Sequence, residues 1–164
     1  MDAKGFVKIV DLGLAKQIMS GKTWTMCGTP DYLAPEIILN EGHDCSVDYW
    51  ALGVLIYEMV TGWPPFYADE PMKTYEKIVA CAVSYPVYIT RHLSDLVSKL
   101  LQTQPGKRLG NLKGGIGDIM KHKWFGSFDW AGLEAMTIPV PFVPTVLILI
   151  CVKYSHVFLD KRCY

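Results

Sequence analysis

Between Thr23 and Met72 there is neither a lysine nor an arginine, although the 164 residues as a whole balance 16 Lys+Arg against 16 Asp+Glu. The zero total excludes the uniform basicity of a nucleic-acid binder and the uniform acidity of a protein that seeks cations. The cation-free stretch holds eight acids, whereas residues 73–130 carry nine Lys+Arg against four acids. Charge is therefore segregated along the chain, not lacking.

Other absences narrow the class further. The five cysteines, at 27, 45, 81, 151 and 163, are odd in number and form no C-x-x-C pair. No charged leader runs into an apolar stretch after Met1, so reduced thiols in a cytoplasmic setting are expected. His43, His92, His122 and His156 stand at no ligand spacing with those thiols, so no zinc site is expected. No apolar run approaches the ~20 residues of a membrane-spanning helix. The longest, Thr145 to Val152, is short and follows Pro139, Pro141 and Pro144; uncharged and β-prone, it has the composition of an aggregating segment if exposed. Gly21-Lys22-Thr23 has Lys16 where a phosphate-binding P-loop needs its first glycine. The glycines at 110, 114, 115 and 117 lack the G-x-G-x-x-G spacing as well.

What is present is core material. Apolar residues make up 51% and charged residues 20%, enough for one packed domain at this length. Asp2 to Gly5 has turn chemistry, and Phe6 to Val10 alternates as a short strand. Residues 14–35, with Gly21, Gly28, Pro30 and Pro35, read as a long loop, which in a compact domain is usually functional. A helix is expected over Cys45 to Val60, opened by Asp44 or Ser46 and closed by Gly62 and Pro64; its centre is apolar on every face and belongs in the core. Amphipathic helices are expected over Glu70–Cys81 and Ile89–Gln102, the second with Leu93, Leu96, Val97, Leu100 and Leu101 on one stripe. A further turn or two of helix is expected over Asp118–Trp124.

Asp11-Leu12-Gly13 is a weak signal alone. Ala34-Pro35-Glu36 lies 23 residues downstream, with Thr25 and Gly28-Thr29-Pro30 between them, the order of landmarks around a kinase phosphosite. Lys22 to Glu36 as a block, Asp48 to Gly53, Gly62 to Phe66, Lys107 to Asn111 and His122 to Phe125 together closely resemble the cyclic-nucleotide-dependent enzymes of the AGC-group serine/threonine protein kinases. The likeness covers roughly residues 2–144. It implies a mainly α fold, the large lobe of a kinase with a short β segment at its start.

The resemblance also implies roles. Asp11 would hold the magnesium ion that bridges the ATP phosphates, and Leu12 replaces the family's usual Phe. Thr25 would be the activation phosphosite, with Lys16 among its cations. Thr29 would approach the catalytic aspartate in a supporting role. Met26, Cys27, Pro30 and Leu33 would form an apolar pocket beside the substrate hydroxyl. Glu58 sits in an apolar helix, where an unpaired carboxylate is costly and calls for a cationic partner. The resemblance supplies a substrate arginine, with Asp31 one methylene shorter than the Glu usual at a second arginine-binding position. Glu36 and Arg108 would form a structural ion pair, and Asp48 would hydrogen-bond a catalytic-loop backbone.

Only ten residues precede Asp11 here, so the small lobe, the Gly-rich loop, the adenine pocket and the H-R-D catalytic loop are expected to be absent. Residues 1–144 read as a partial kinase domain and 145–164 as a divergent apolar tail. ATP and magnesium follow from the resemblance but would bind poorly to this chain alone. Two functions remain open: a kinase that transfers the ATP γ-phosphoryl group to Ser or Thr in basic peptides, here truncated and inactive alone, or a non-catalytic module whose acidic groove takes basic peptides or a cyclic-nucleotide-binding regulatory subunit. Nucleic-acid binding by the Gly-rich basic residues 105–123 is not expected, because no aromatic platform accompanies them.

Overall fold

The computed structural model describes residues 1–19 and 21–145; the apolar run beyond Thr145 and the tail to Tyr164 lie outside the described residues. The chain forms two compact units. One is Leu12–Phe128; the other joins Met1–Asp11 to the residues from Asp129 onward.

The larger unit is helical: a 3-10 turn at Pro30–Tyr32, α1 (Pro35–Ile38), α2 (Ser46–Thr61), α3 (Pro71–Ala80), α4 (Arg91–Leu100), a second 3-10 turn at Pro105–Lys107 and α5 (Ile116–Met120). Local chemistry sets the ends of α2. The Ser46 N–H donates to Asp44 Oδ1 at 2.8 Å, satisfying one of the donors a helix start leaves orphaned. At the far end Gly62, at φ 85°, takes the left-handed turn that residues with a Cβ avoid, and its N–H donates to the Glu58 carbonyl. Pro71 opens α3, and Thr90 Oγ1 caps α4 by accepting from the Leu93 N–H at 3.3 Å.

The core forms where α2 packs on α4. Leu93, Leu96, Val97, Leu100 and Leu101 are all buried, as their 3.6-residue spacing predicts. At the crossing, a Cβ on Gly53 would stand 2.9 Å from Leu100 Cβ and from Leu101 Cδ2, so the absent side chain sets how closely the helices approach. Trp50, fully buried, stacks on Phe66 with ring centroids 5.5 Å apart and planes 8° from parallel.

Three expectations need correction. Phe6–Val10 joins no β ladder: among the described residues the sole bridge pairs Thr23 with His43, and Val7, Ile9 and Val10 are largely exposed. An alternating segment becomes a strand only when a neighbour takes its backbone groups. The centre of α2 is not covered on every face, since Leu55 is exposed, as are Met59 and Val60 nearer its end. Helix at Asp118–Trp124 ends at Met120; past it His122 Nδ1 accepts from the Trp124 N–H at 3.2 Å, so a side chain replaces the helical acceptor.

In the smaller unit Asp2 Oδ1 accepts from the N–H groups of Lys4 and Phe6, both at 2.9 Å, closing the expected turn. Asp129 caps α6 (Trp130–Glu134) by accepting from the Gly132 N–H at 2.8 Å. Among the described residues no helix is long and apolar enough to cross a membrane.

Candidate functional site: an anchored loop and an acidic helix face

The loop before α1 is tied at Thr23. Its backbone exchanges two hydrogen bonds with His43, each 2.8 Å, and its hydroxyl accepts from Lys16 Nζ at 2.9 Å. Trp24 lies against Gly42, at φ 73°, where a Cβ would stand 2.9 Å from the indole. Beyond this anchor Thr25, Met26, Cys27 and Thr29 are exposed. The structure thus places Lys16 on the Thr23 hydroxyl, two residues short of Thr25. Of the four apolar or small residues expected to form one pocket, Leu33 is buried and Pro30 half-buried, while Met26 and Cys27 face solvent. Leu33 lies under Gly28, its Cδ2 3.7 Å from where a Cβ would be.

Pro30 opens the 3-10 turn that aims Tyr32 at α2. The Tyr32 hydroxyl donates to Glu58 Oε2. Within the chain a phenol, not a cation, partners Glu58: a neutral O–H meets the carboxylate's need for a donor without neutralising its charge. Burial and the Glu58 acceptor, with help from the Asp31 charge, push the Tyr32 phenol up to about 12. Asp31, half-buried, thus joins Glu58 in the electrostatic surroundings of one phenol. Tyr32 was not singled out by sequence reasoning; nothing in the spacing across 26 residues marks it as the partner of Glu58.

Below this face Glu36 and Arg108 meet in the core, both almost wholly excluded from solvent. Nη1 donates to Glu36 Oε1 at 2.8 Å and Nη2 to Oε2 at 3.0 Å, the parallel fork that suits guanidinium to carboxylate. Nη1 also donates to the Ser46 carbonyl at 2.9 Å, while Nε and Nη2 donate to the Gln102 carbonyl at 3.1 and 2.9 Å. The guanidinium carbon lies 5.3 Å from the centre of the Trp50 ring. One side chain joins α1, the start of α2 and the segment after α4. Asp48, in the first turn of α2, is exposed, and among the described residues no hydrogen bond reaches its carboxylate.

Asp11 belongs to the smaller unit. It is exposed and holds φ at 60°, a left-handed conformation that costs a non-glycine residue free energy. Leu12, beside it in sequence, is 69% exposed. Among the described residues no group of three or more His, Cys, Asp or Glu gathers to hold a metal ion. A single carboxylate is a hard oxygen ligand of the kind magnesium accepts, but it does not make a magnesium site.

The fold and the anchored loop define a protein-kinase large lobe, and the comparisons agree. The model of the protein kinase domain matches residues 1–125, and the chain belongs to that family. It is 53% identical over 144 residues to human cGMP-dependent protein kinase 2, covering 86% of this chain and 19% of that protein. Against the cGMP-dependent protein kinase isozyme 1 of Drosophila melanogaster it is 52% identical over 161 residues, 96% of this chain and 21% of the relative. Against the human cAMP-dependent protein kinase catalytic subunit PRKX the identity is 44% over 146 residues, 89% of this chain and 40% of the relative. The chain spans about a fifth of the length of these cGMP-dependent relatives.

Proposed function

We propose that this chain carries the activation segment and the basic-peptide groove of a serine/threonine protein kinase of the cyclic-nucleotide-dependent type. The parent reaction moves the γ-phosphoryl group of ATP to a Ser or Thr preceded by basic residues. The carrying observation is the Tyr32–Glu58 pair with Asp31 beside it, in a fifty-residue stretch without a lysine or arginine. A carboxylate held by a neutral donor keeps its full charge for a guanidinium, and the surrounding acids repel acidic peptides. Met26, Cys27 and Pro30 would supply apolar surface next to that charge, with Leu33 packed beneath. Thr25, exposed and beside the Lys16–Thr23 contact, is the phosphosite in this reading; a phosphate there would compete with the Thr23 hydroxyl for the Lys16 ammonium. Arg108 and Glu36 pin the segment to the helices beneath it.

ATP and magnesium are the cofactors of the parent reaction, with Asp11 as one metal ligand. The 164 residues contain no H-R-D sequence, so we infer that this polypeptide alone does not transfer phosphate. That absence favours a second reading, a non-catalytic module that sequesters basic peptides or a regulatory subunit presenting a basic segment. A cytoplasmic setting suits the free thiols of Cys27 and Cys45, both exposed.

Titration of the purified chain with an Arg-rich peptide tests the groove. Binding should weaken at least tenfold in Glu58→Gln and in Asp31→Asn, and should fall with added salt. Equal affinity in wild type and both variants would overturn the assignment. Incubation with ATP, magnesium and the same peptide separates the two readings, with no phosphopeptide expected; phosphopeptide formed by the pure chain would refute the inactive reading.

A further inference from the structure

The larger unit has a second charged feature that the peptide groove does not use. A cleft of about 590 Å³ opens beside α4 and the segment from Lys107 to Lys123, with Leu109 in its wall and Lys99, Lys107, Lys121 and Lys123 around it. That volume falls within the roughly 300–1,000 Å³ of small-molecule sites. Two acids, Asp95 and Asp118, also line it.

The acids offset only part of the lysine charge. Asp95 Oδ2 already accepts from Lys99 Nζ at 2.6 Å and meets His122 Nε2 at 2.9 Å. His122 is buried, and its Nδ1 accepts from the Trp124 N–H, so the ring proton sits on Nε2 and points at Asp95. Asp95 is thus held from two sides. The Asp118 carboxylate folds over Gly114, occupying the space a Cβ there would need. Among the described residues the ammonium groups of Lys107, Lys121 and Lys123 have neither an ion pair nor a hydrogen bond, and all three side chains belong to exposed residues.

Three lysines without an ion pair, against the one remaining carboxylate of Asp118, leave a net positive charge around one concave site and focus a positive potential on its interior. Lysine ammonium groups bind phosphoryl oxygens as point charges and need no planar partner, unlike arginine. A monoanion would leave part of that charge unmatched. We propose that this cleft binds a small polyanion bearing two or more phosphate groups, with Lys107, Lys121 and Lys123 taking the phosphoryl oxygens. Leu109 and Leu112 give the non-charged part of the ligand an apolar contact. Soluble polyphosphates and the phosphorylated inositol headgroups of lipids share this chemistry.

Calorimetric titration of the full 164-residue chain with inorganic tripolyphosphate, and separately with inositol trisphosphate, tests the proposal at low and near-physiological salt. Saturable one-to-one binding is expected, weakening at least tenfold when Lys107, Lys121 and Lys123 are together changed to Gln. The same charge change at Lys4, Lys8 and Lys113, which do not line the cleft, should alter affinity less than twofold. Circular dichroism of each triple variant checks that its helices persist. If the cleft variant does not fold, the single variant Lys121→Gln, expected to lose at least threefold, is decisive in its place. Vesicles containing phosphoinositide form a further arm: competition between them and soluble inositol trisphosphate assigns the site to a headgroup, and tripolyphosphate binding without vesicle binding assigns it to a soluble ligand. No binding near physiological salt, equal losses in the two triple variants, or stronger binding of an acidic peptide of the same charge than of tripolyphosphate would each overturn it.

Discussion

At the scale of single residues, two side chains mark opposite uses of polarity. Arg108 is buried among its acceptors, so its removal takes the guanidinium donors from the Glu36 carboxylate and from the Ser46 and Gln102 carbonyls. Arg108→Met should therefore lower unfolding stability by about 3–5 kcal/mol in urea denaturation, the cost typical of breaking a buried pair from one side. The double variant Arg108→Met with Glu36→Leu should recover a large part of that loss, because no buried charge is then left alone. Tyr32 is poised differently. Its neutral phenol is the donor, and its folded-state value of about 12 lies above the usual 10. The contribution is thus complete below about pH 10 and is lost as pH rises toward 12. Burial pushes Tyr85 to about 12 as well. Burial raises the Tyr57 phenol too. Ultraviolet titration of the folded chain should show retarded phenols at Tyr32, Tyr57 and Tyr85, and Tyr32→Phe should remove one of them.

At the scale of elements, the α2–α4 crossing is the most exacting contact. Gly53→Ala adds a methyl group 2.9 Å from two leucine side chains, and overpacking of that kind costs ~1–3 kcal/mol. The better helix propensity of Ala returns up to ~1 kcal/mol, so a net loss is expected in thermal denaturation. Gly106→Ala, where a Cβ meets nothing within 4 Å, should leave stability almost unchanged. The same elements show what the amino-acid sequence discloses. The leucine stripe of α4 and the Gly62 stop of α2 were legible because each depends on residues close in the chain. The short helices α1 and α6, of four and five residues, were not, since they carry too few turns to display a period. Strand pairing at Phe6–Val10 failed as an expectation for the opposite reason: alternation describes the segment, while a ladder requires a neighbour. The candidate site was half legible. The family resemblance singled out Glu58, Asp31, Glu36 and Arg108, but the Tyr32 bond and the contact of Lys16 with Thr23 depend on contacts that no local pattern encodes.

At the scale of the whole molecule, segregated charge is accompanied by many exposed apolar side chains. Ile9, Val10, Leu12, Leu14, Met19 and Trp24 are each more than 60% exposed, as are Met59 and Trp63. Exposure on that scale marks surfaces that associate. Sedimentation of the isolated chain should show mass rising with concentration, and dye binding to apolar surface should be strong; a monomer across the micromolar range without dye binding would contradict this. If the cation-free stretch and its lysine-rich neighbour bind ligands of opposite sign as proposed, raising ionic strength should weaken both kinds of binding together. The Glu36–Arg108 fork has a last consequence, in time. Its two halves lie 72 residues apart, and such a loop is closed only after nearer contacts, such as those within α2 and α4, have formed. A latch made late does little to hasten folding and much to delay escape from the folded state. Arg108→Met should accordingly speed unfolding while scarcely changing the refolding rate, so that this one side chain governs how long the native structure lasts once formed.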